Sequence, residues 1–342
     1  MSYLSPSLGA MTVDVVSSSG HFFEGTARPA GDAVLPPESA GSPLPGVAGP
    51  SLSPSRASDF KTCPLLFRFR TVDRLPEKPS RDQVRGTLVH AVLESLFDLP
   101  ASGRTPEAAA ALVEPQWHRL VEQEPVLAEL FAPAGPDEAA LPDMPAPAEE
   151  LAGFLSGAGE LLDGYFAVED PQRLEPAERE SLVSTLIDEQ LLIRGYIDRL
   201  DVSPAGDLRV VDYKTGGAPR EAFEGRALFQ LKFYALVLWR TRGVVPRVLR
   251  LLYLKDAEIL DYSPEPEELE RFERTLVALS AAIERAKQDR DFRPKPSRLC
   301  GWCNHKEFCP EFGGTPPPYP AALPAPAQTL PLDDITASRL EP

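Results

Sequence analysis

The strongest constraint on this chain is a pair of apolar, β-branched stretches joined by a short polar turn. Residues 194–201 and 210–216 have the composition of strands, and the Ser-Pro-Ala-Gly-Asp segment at 203–207 is a hairpin turn signal. Because side chains alternate between the faces of a strand, Asp212 and Lys214 are expected to project from the same face. The sequence therefore predicts charged side chains grouped on one face of a sheet.

Asp198, on the first of these stretches, is expected to join Asp212 and Lys214. Burying two carboxylates and one ammonium together is costly unless they hold a cation. Mg²⁺ favours oxygen ligands and keeps several of its waters. A lysine beside such an ion can position the attacking water, which is the chemistry of phosphodiester hydrolysis. The alternative interpretation is a surface salt bridge, because a D-x-K triplet alone is a weak signal.

The pattern G-x-x-D-R-x-D followed by V-D-Y-K-T-G resembles the active-site core of the PD-(D/E)xK nuclease superfamily. The resemblance is greatest to the RecB-like branch, which includes AddB-type and CRISPR-associated exonucleases, and it covers about residues 51–314. It implies an α/β fold in which helices flank a mixed central sheet. It also implies that Asp198, Asp212 and the carbonyl of Tyr213 bind Mg²⁺ or Mn²⁺. Lys214 corresponds to the catalytic lysine.

Two predicted helices extend this resemblance. His90 lies in a segment with helical apolar spacing that places it one turn from Glu94, and the RecB-like branch carries a histidine on such a helix at its metal site. After the D-x-K strand, Gln230 and Tyr234 are predicted on one helix face. The resemblance gives this Q-x-x-x-Y pair a role in supporting the active site and contacting substrate. The alternative for Tyr234 is an ordinary core aromatic.

Other acids near these motifs are harder to assign. Glu178 and Glu180 precede the first strand, where relatives carry a further acid, and either of them could match. Surface solvation is the simpler interpretation for both residues. For Glu94 the default interpretation is an exposed helical carboxylate.

The chain contains four cysteines, Cys63, Cys300, Cys303 and Cys309. The C-x2-C spacing with a further cysteine favours thiolate metal ligation over disulfides. Four thiolates suit either tetrahedral zinc or a [4Fe-4S] cluster, and His305 is an alternative ligand if zinc is bound. One cysteine before the core and C-x2-C-x5-C after it resembles the iron–sulfur staple of AddB-like nucleases. The resemblance therefore implies a [4Fe-4S] cluster that ties the two chain ends together.

The net charge of −16 argues against a nucleic-acid partner until its distribution is considered. Residues 105–189 contain 19 acidic and 3 basic residues, whereas residues 51–90 contain 8 basic and 4 acidic residues. Phe67 and Phe69 lie among the arginines of the basic segment, and this mixture suits phosphate contacts and base stacking on single strands. The alternative is a solvated helix face. The basic side chains in question are Arg68, Arg70, Arg74, Lys78, Arg81 and Arg85.

Composition also predicts the organisation of the chain. Residues 1–50 are predicted to be disordered, residues 51–314 to form one nuclease domain, and residues 315–342 to form a flexible Pro-rich tail. Within the domain, 105–175 is predicted as an acidic helical insertion and 296–314 as a four-cysteine cluster cap. We find no apolar run long enough for a transmembrane helix and no secretory signal, so a cytoplasmic protein without membrane association is expected.

These features together predict a metal-dependent DNA exonuclease that acts on single-stranded ends in DNA repair or recombination. The chain has no P-loop or helicase signature, so any unwinding would come from a helicase partner. Two alternatives stay open. One is a CRISPR-type processing nuclease, and the other is a catalytically silent DNA-binding or scaffold subunit of a helicase–nuclease complex.

Overall fold

The computed structural model describes residues 49–132, 146–218 and 224–321, and within these ranges the chain forms a six-stranded sheet. In the order of the sheet, β1 is followed by β3, β4, β5 and β6, and β2 pairs with β3. The strands are β1 (Ser51–Leu52), β2 (Glu178–Ile187), β3 (Leu191–Val202), β4 (Leu208–Lys214), β5 (Val248–Tyr253) and β6 (Glu258–Tyr262).

Strand β3 connects the two halves of the sheet. It pairs antiparallel with β2 along most of its length and parallel with β1 near its start. Its ladder with β4 is short and antiparallel, and it ends at the pair Arg199–Val211. β4 and β5 are parallel, and β5 and β6 are antiparallel. The sheet is therefore mixed, and β3 and β4 separate beyond Arg199 and Val211.

Helices cover both faces of this sheet. One apolar core packs α1, α6 and α7 against one face, and a second core packs α3, α4 and α5 against the other. The prediction of an α/β fold with a mixed sheet flanked by helices is confirmed. The helices are α1 (Pro54–Thr62), α2 (Pro64–Phe67), α3 (Arg81–Leu96), α4 (Pro106–Gln123), α5 (Pro147–Val168), α6 (Glu224–Arg242) and α7 (Pro266–Asp289).

Local sequence features position α3 and α5. Ser80 and Gln83 form a capping box, in which each side chain accepts a hydrogen bond from the backbone N–H of the other residue, and this fixes the start of α3. Helix α5 approaches the end of β5 so closely that a Cβ at Gly164 would lie 1.8 Å from the carbonyl oxygen of Leu254. Only glycine allows this contact.

Several predicted elements agree with the structure. The predicted hairpin at 247–254 and 258–262 corresponds to β5 and β6, and the predicted helix at 266–287 corresponds to α7. Residues 105–175 contain α4 and α5, although 133–145 lie outside the described residues and the assignment as an insertion stays a prediction. No helix in the described ranges combines the length and apolarity that crossing a membrane requires.

Both predicted chain termini lie mostly outside the described residues. Of the segment 1–50, only residues 49 and 50 are described, and the predicted tail is described only up to residue 321. Within that described part, Tyr319 stacks on Phe292 with 6.2 Å between the ring centroids.

The basic segment between α1 and α3 differs from its prediction as a DNA-binding surface. Phe67 and Phe69 are each only 2% exposed, so neither ring is available to stack on a base. Arg70 pairs with Asp59 at 2.8 Å and with Glu77 at 2.9 Å. Arg68 pairs with Asp73, Arg81 with Glu150 and Arg85 with Asp82. These four arginines thus form ion pairs within the protein, which the composition of the segment could not reveal.

Candidate metal centre

The predicted acids meet where β3 and β4 separate. Asp198 and Asp212 lie just beyond the last β3–β4 pair, so their backbones are not joined to each other in the ladder. The N–H of Tyr213 donates instead to Asp198 Oδ2 at 2.7 Å. Both acids are buried, with 9% of Asp198 and 1% of Asp212 exposed. The gap in the ladder thus leaves room for side-chain atoms between the strands.

A local distortion brings a third carboxylate into this gap. The pairs on either side, Arg179 with Arg199 and Ser181 with Ile197, place Glu180 across from Asp198. Glu180 has φ of 43°, in the left-handed region that a residue with a Cβ rarely adopts. It is 4% exposed, so the interpretation of Glu180 as a solvated surface residue is wrong.

The same distortion changes the alternation along β3. Ile193, Ile197 and Leu200 all belong to the core beside α6 and α7, although Leu200 has the opposite parity. Strict period-two alternation cannot place these three residues on one face. The break falls at Asp198 and Arg199, which is why the sequence pattern alone could not give the direction of the Asp198 side chain.

His90 reaches the acids from α3. Its Nε2 donates to the carbonyl oxygen of Tyr213 at 3.0 Å, while its Nδ1 lies 3.4 Å from Glu180 Oε1 and 3.6 Å from Asp198 Oδ2. Ligand atoms of His90, Glu180 and Asp198 all lie within 4.8 Å of one another, and in the described ranges this is the one such set of three metal-ligating side chains. Glu94, one turn further along α3, is outside this set.

Lys214 is held beside Asp212 by a chain of contacts that leads into α6. Its Nζ lies 2.7 Å from Asp212 Oδ2 and donates to Gln230 Oε1 at 2.8 Å. Gln230 Nε2 in turn donates to the Tyr234 hydroxyl at 2.9 Å. The ring of Tyr234 packs against β3, where a Cβ at Gly195 would lie only 2.7 Å from it. The Q-x-x-x-Y pair therefore contacts the lysine directly.

We refer to His90, Glu180, Asp198, Asp212 and Lys214 as the acidic cluster. Burial of Asp198 and the nearby carboxylates of Asp212 and Glu180 raise the pKa of Asp198 to about 8, although His90 opposes this. Burial alone would lower the pKa of His90, but the carboxylates of Asp198, Glu180 and Asp212 raise it to about 10. Negative charge is therefore in excess here.

The acidic cluster also fits a divalent cation by its donor atoms. His90 Nδ1 and Glu180 Oε2 are buried and have no hydrogen-bond partner among the described residues. Buried polar atoms are normally satisfied, so their exceptions require an explanation such as an ion. Carboxylate oxygens, a carbonyl oxygen and one imidazole form a donor set that suits Mg²⁺ or Mn²⁺.

Comparison with known proteins identifies the family. A model described as the PD-(D/E)XK nuclease superfamily matches residues 51–310. The chain belongs to this superfamily. PD-(D/E)XK nucleases typically use Mg²⁺ or Mn²⁺, which agrees with the donor set of the acidic cluster. The comparison supports a nuclease with DNA as substrate.

Individual relatives of this PD-(D/E)XK protein are distant. It is 25% identical to the Gene 69 protein of Mycobacterium phage D29 over 281 residues, which cover 77% of this chain and 97% of that protein. Two solved structures are also similar. A candidate exonuclease from Eubacterium rectale has a TM-score of 0.44 and 11% identity, and the match covers 75% of this chain and 87% of that chain. SSO0001 has a TM-score of 0.29 and 20% identity, and the match covers 48% of this chain and 72% of that chain. The family match, rather than these likenesses, decides the assignment.

A second group of charges lies next to the acidic cluster, on the α3 side of the sheet. The fully buried Arg199 contacts Glu169 at 2.7 Å, Asp201 at 3.1 Å and the Tyr213 hydroxyl at 2.9 Å. Arg209 pairs with Asp201 at 2.8 Å, and Arg250 pairs with Asp261 at 2.7 Å. We call this group the arginine cluster, and its members are Arg199, Arg209, Arg250, Glu169, Asp201 and Asp261.

Sequence reasoning missed the arginine cluster, although Arg199 and Asp201 are part of the D-R-x-D pattern. Glu169 lies at the end of α5 and Arg250 in β5, so only the tertiary structure brings them together. Tyr213 links the two clusters, because its hydroxyl accepts from Arg199 while its backbone contacts Asp198 and His90.

The four predicted cysteines converge on one pocket. Cys63, Cys300, Cys303 and Cys309 are free, half-buried and line the same pocket beside α1 and α2. The N–H of Lys295 donates to Cys63 Sγ at 3.4 Å, and the N–H of Ser297 donates to Cys300 Sγ at 3.3 Å. Among the described residues, no three cysteine sulfurs lie within 4.8 Å of one another.

His305 does not face this pocket as an open ligand. It is 1% exposed, its Nε2 lies 2.6 Å from Glu77 Oε1, and its ring packs edge-on against Phe69. His305 and Arg70 bond to Glu77 and, against the effect of burial, hold the pKa of its carboxyl at about 2. This buried ion pair joins the loop of the last three cysteines to the segment before α3.

Proposed function

We propose that this nuclease is a metal-dependent DNA exonuclease that acts on single-stranded ends, in DNA repair or recombination. The observation that carries the proposal is the acidic cluster, in which three buried carboxylates face one lysine and one histidine. A bound Mg²⁺ or Mn²⁺ would act there as a Lewis acid and generate the hydroxide nucleophile. The proposed ligands are His90, Glu180, Asp198, Asp212 and the Tyr213 carbonyl.

The remaining side chains of the site have separate roles in this proposal. Lys214 has only 28% of its side chain exposed, and its contacts with Asp212 and Gln230 point its ammonium into the site. It would orient the attacking water and offset charge on the phosphate. Gln230 accepts from the ammonium, and Tyr234 accepts from Gln230 and holds it in place.

The test uses single-stranded and duplex DNA labelled at the 5′ or the 3′ end, incubated with Mg²⁺ or Mn²⁺. We expect mononucleotides or short products released progressively from single-stranded ends, and no cleavage by Asp212→Ala. Glu178→Ala is the matched control, since Glu178 precedes the site on β2 and pairs with Arg242 at the surface. If the intact protein leaves every substrate uncut, the silent scaffold subunit replaces the enzyme as the proposal.

We also propose that the four cysteines hold a [4Fe-4S] cluster. A tetrahedral zinc site with bonds of 2.3 Å requires sulfurs about 3.8 Å apart, whereas a cluster of four irons needs a wider arrangement. The N–H groups of Lys295 and Ser297, which donate to Cys63 Sγ and Cys300 Sγ, support the cluster. Hydrogen bonds to the sulfurs are one of the features that tune such clusters.

Anaerobic purification tests this assignment. We expect brown protein with visible absorbance and equal amounts of iron and acid-labile sulfide, both lost in Cys300→Ser. A colourless protein that contains zinc would contradict the cluster. Cys63 ends α1 and the other three cysteines follow α7, so the cluster would join two distant parts of the chain, and its loss is expected to lower stability more than it changes cleavage by the protein that stays folded.

Two further parts of the proposal concern partners. The sequence contains no P-loop, so a helicase partner would supply unwinding in the cell. Cleavage of single strands but not of blunt duplex ends by the isolated protein would support this. A CRISPR-type processing nuclease is the second candidate, and defined-length cleavage instead of progressive digestion would favour it.

A further inference from the structure

The loop that carries the last three cysteines exposes a large aromatic side chain. Trp302 is 81% exposed, more than any other large hydrophobic residue in the described ranges, and Leu299 and Phe312 beside the cysteine pocket are 43% and 53% exposed. Leu299 and Trp302 are three residues apart in a 3₁₀ helix, where side chains at this spacing lie on the same face.

Hydrogen bonds and close packing define the backbone conformation of this loop. The Ser297 hydroxyl accepts from the N–H of Leu299 at 3.2 Å, and the N–H of Cys303 donates to the carbonyl of Cys300 at 3.3 Å. A Cβ at Gly314 would lie 2.1 Å from the carbonyl oxygen of Glu307, so the end of the loop packs tightly. Trp302 is therefore presented by a defined turn.

The charge around Trp302 is positive in a chain that is strongly acidic. Residues 293–306 contain four basic residues, Arg293, Lys295, Arg298 and Lys306; Asp291 and Glu307 flank them, and Arg293 pairs with Asp291 at 3.0 Å. Arg293 and Arg298 are exposed, and the Lys306 ammonium donates to the carbonyl of Gly301, next to Trp302. A cationic surface with an exposed indole attracts a polyanion that carries planar rings.

We propose that Trp302, with Arg298 and Lys306, binds single-stranded DNA by stacking on a base and contacting phosphates. This inference rests on the proposed function, because it supplies a second contact for the strand cut at the acidic cluster. Helix α1 connects the two places, since Pro54 packs against Gly195 and Cys63 ends the helix at the cysteine pocket. Nine helical residues span about 13 Å, which is the length of α1 between these two contacts.

The test measures binding in EDTA, so that cleavage cannot interfere. An oligothymidylate of about 20 nucleotides is expected to quench the tryptophan fluorescence of the intact protein, and Trp302→Leu to abolish this quenching and weaken binding at least about fivefold. Trp302→Phe keeps an aromatic ring and is expected to retain most of the affinity. Val244→Ala, which changes another exposed apolar residue, is the control for surface hydrophobicity.

The salt dependence of binding and the preference for single-stranded over duplex DNA provide two further tests. Arg298→Gln is expected to reduce the slope of log affinity against log salt by about 0.7, whereas Arg119→Gln on acidic α4 leaves it unchanged. Equal affinity of Trp302→Leu and the intact protein would overturn the proposal, as would an effect confined to duplex DNA. Absence of nuclease activity would overturn the proposed function but not this binding measurement.

Discussion

The acidic cluster and the arginine cluster are two neighbouring groups of charges, mostly buried although Asp261 is exposed, that share one tyrosine and differ in their balance. In the arginine cluster three guanidinium groups meet three carboxylates at distances from 2.7 to 3.1 Å. In the acidic cluster three carboxylates meet one ammonium and one imidazole. Asp198 and Arg199 are neighbours in β3, yet each belongs to a different cluster.

This difference separates a site that requires a ligand from one that is complete. A buried charge is tolerated when it is paired and hydrogen-bonded, and the arginine cluster satisfies this condition with its own residues. In the acidic cluster three carboxylates face only two side chains that can carry positive charge, whereas Arg209 Nη2 in the arginine cluster lies 2.8 Å from the Asp201 carboxylate. Replacing a charged residue of the acidic cluster should therefore reduce DNA cleavage and metal binding. Replacing one of the arginine cluster should reduce the stability of the fold.

The largest effect is expected from Asp198→Asn, which removes one carboxylate charge from the acidic cluster. We expect metal-dependent DNA cleavage to fall about a thousandfold, since a metal supplies several kcal/mol of transition-state stabilisation. The free energy of unfolding without metal is expected not to fall. The folded pKa of Asp198 is raised to about 8, so at pH 7 this carboxyl must take up a proton when the protein folds, which costs stability, whereas asparagine needs no proton.

Labelled-DNA digestion and urea denaturation measure the two parts of this prediction. Glu178→Gln serves as the control on the neighbouring strand. A loss of more than about 1 kcal/mol in the free energy of unfolding of metal-free Asp198→Asn would break the comparison, because Asp198 would then be structural.

The opposite behaviour is expected from Arg199→Met. This change leaves Glu169 and Asp201 buried without their main partner, and breaking a buried pair in this way costs about 3–5 kcal/mol of stability. Urea denaturation measures the difference, with Arg119→Met on the exposed face of α4 as the control. Equal stability of the two variants would show that the ion pairs of the arginine cluster do not stabilise the fold.

The sequence could predict the parts of this arrangement that depend on short-range patterns. Period-two alternation placed Asp212 and Lys214 on one face, and the structure brings their charged atoms to 2.7 Å. Helical spacing placed Gln230 and Tyr234 one turn apart, and they are hydrogen-bonded. Turn residues and apolar patterns likewise gave β5, β6 and α7, because local propensity and burial agree there.

The parts that failed depend on distortion or on distant residues. Glu180 enters the acidic cluster through a positive φ, which no alternating pattern encodes. The arginines near residue 70 suggested a surface for DNA, but Asp59 and Glu77 pair with Arg70 across turns of the backbone. Composition carries no information about such partners, so it left a DNA-binding surface and a solvated helix face as the two interpretations of the segment and did not predict its internal ion pairs.

A smaller effect concerns the pH dependence of metal binding. Metal ligands must lose their protons, and the pKa values of about 10 for His90 and about 8 for Asp198 mean that protons occupy the acidic cluster at pH 7. Binding of Mn²⁺ is therefore expected to release protons, and its affinity is expected to rise by up to about tenfold per released proton for each unit by which the pH increases towards 8. Calorimetry in buffers of different ionisation enthalpy measures this release, with the exposed His118→Gln as control. Affinity that stays constant from pH 6 to about pH 8 contradicts the prediction.

The smallest effect is expected from Tyr213→Phe, which tests whether the two clusters are coupled. The hydroxyl of Tyr213 accepts one of several bonds made by Arg199, so its loss is expected to cost only about 1 kcal/mol of stability. The backbone of Tyr213 nevertheless contacts both Asp198 and His90. If the arginine cluster positions that backbone, the affinity for Mn²⁺ will fall severalfold, because residues that orient metal ligands contribute to metal affinity. Unchanged affinity, at the same loss of stability, would mean that the clusters share a residue but act independently.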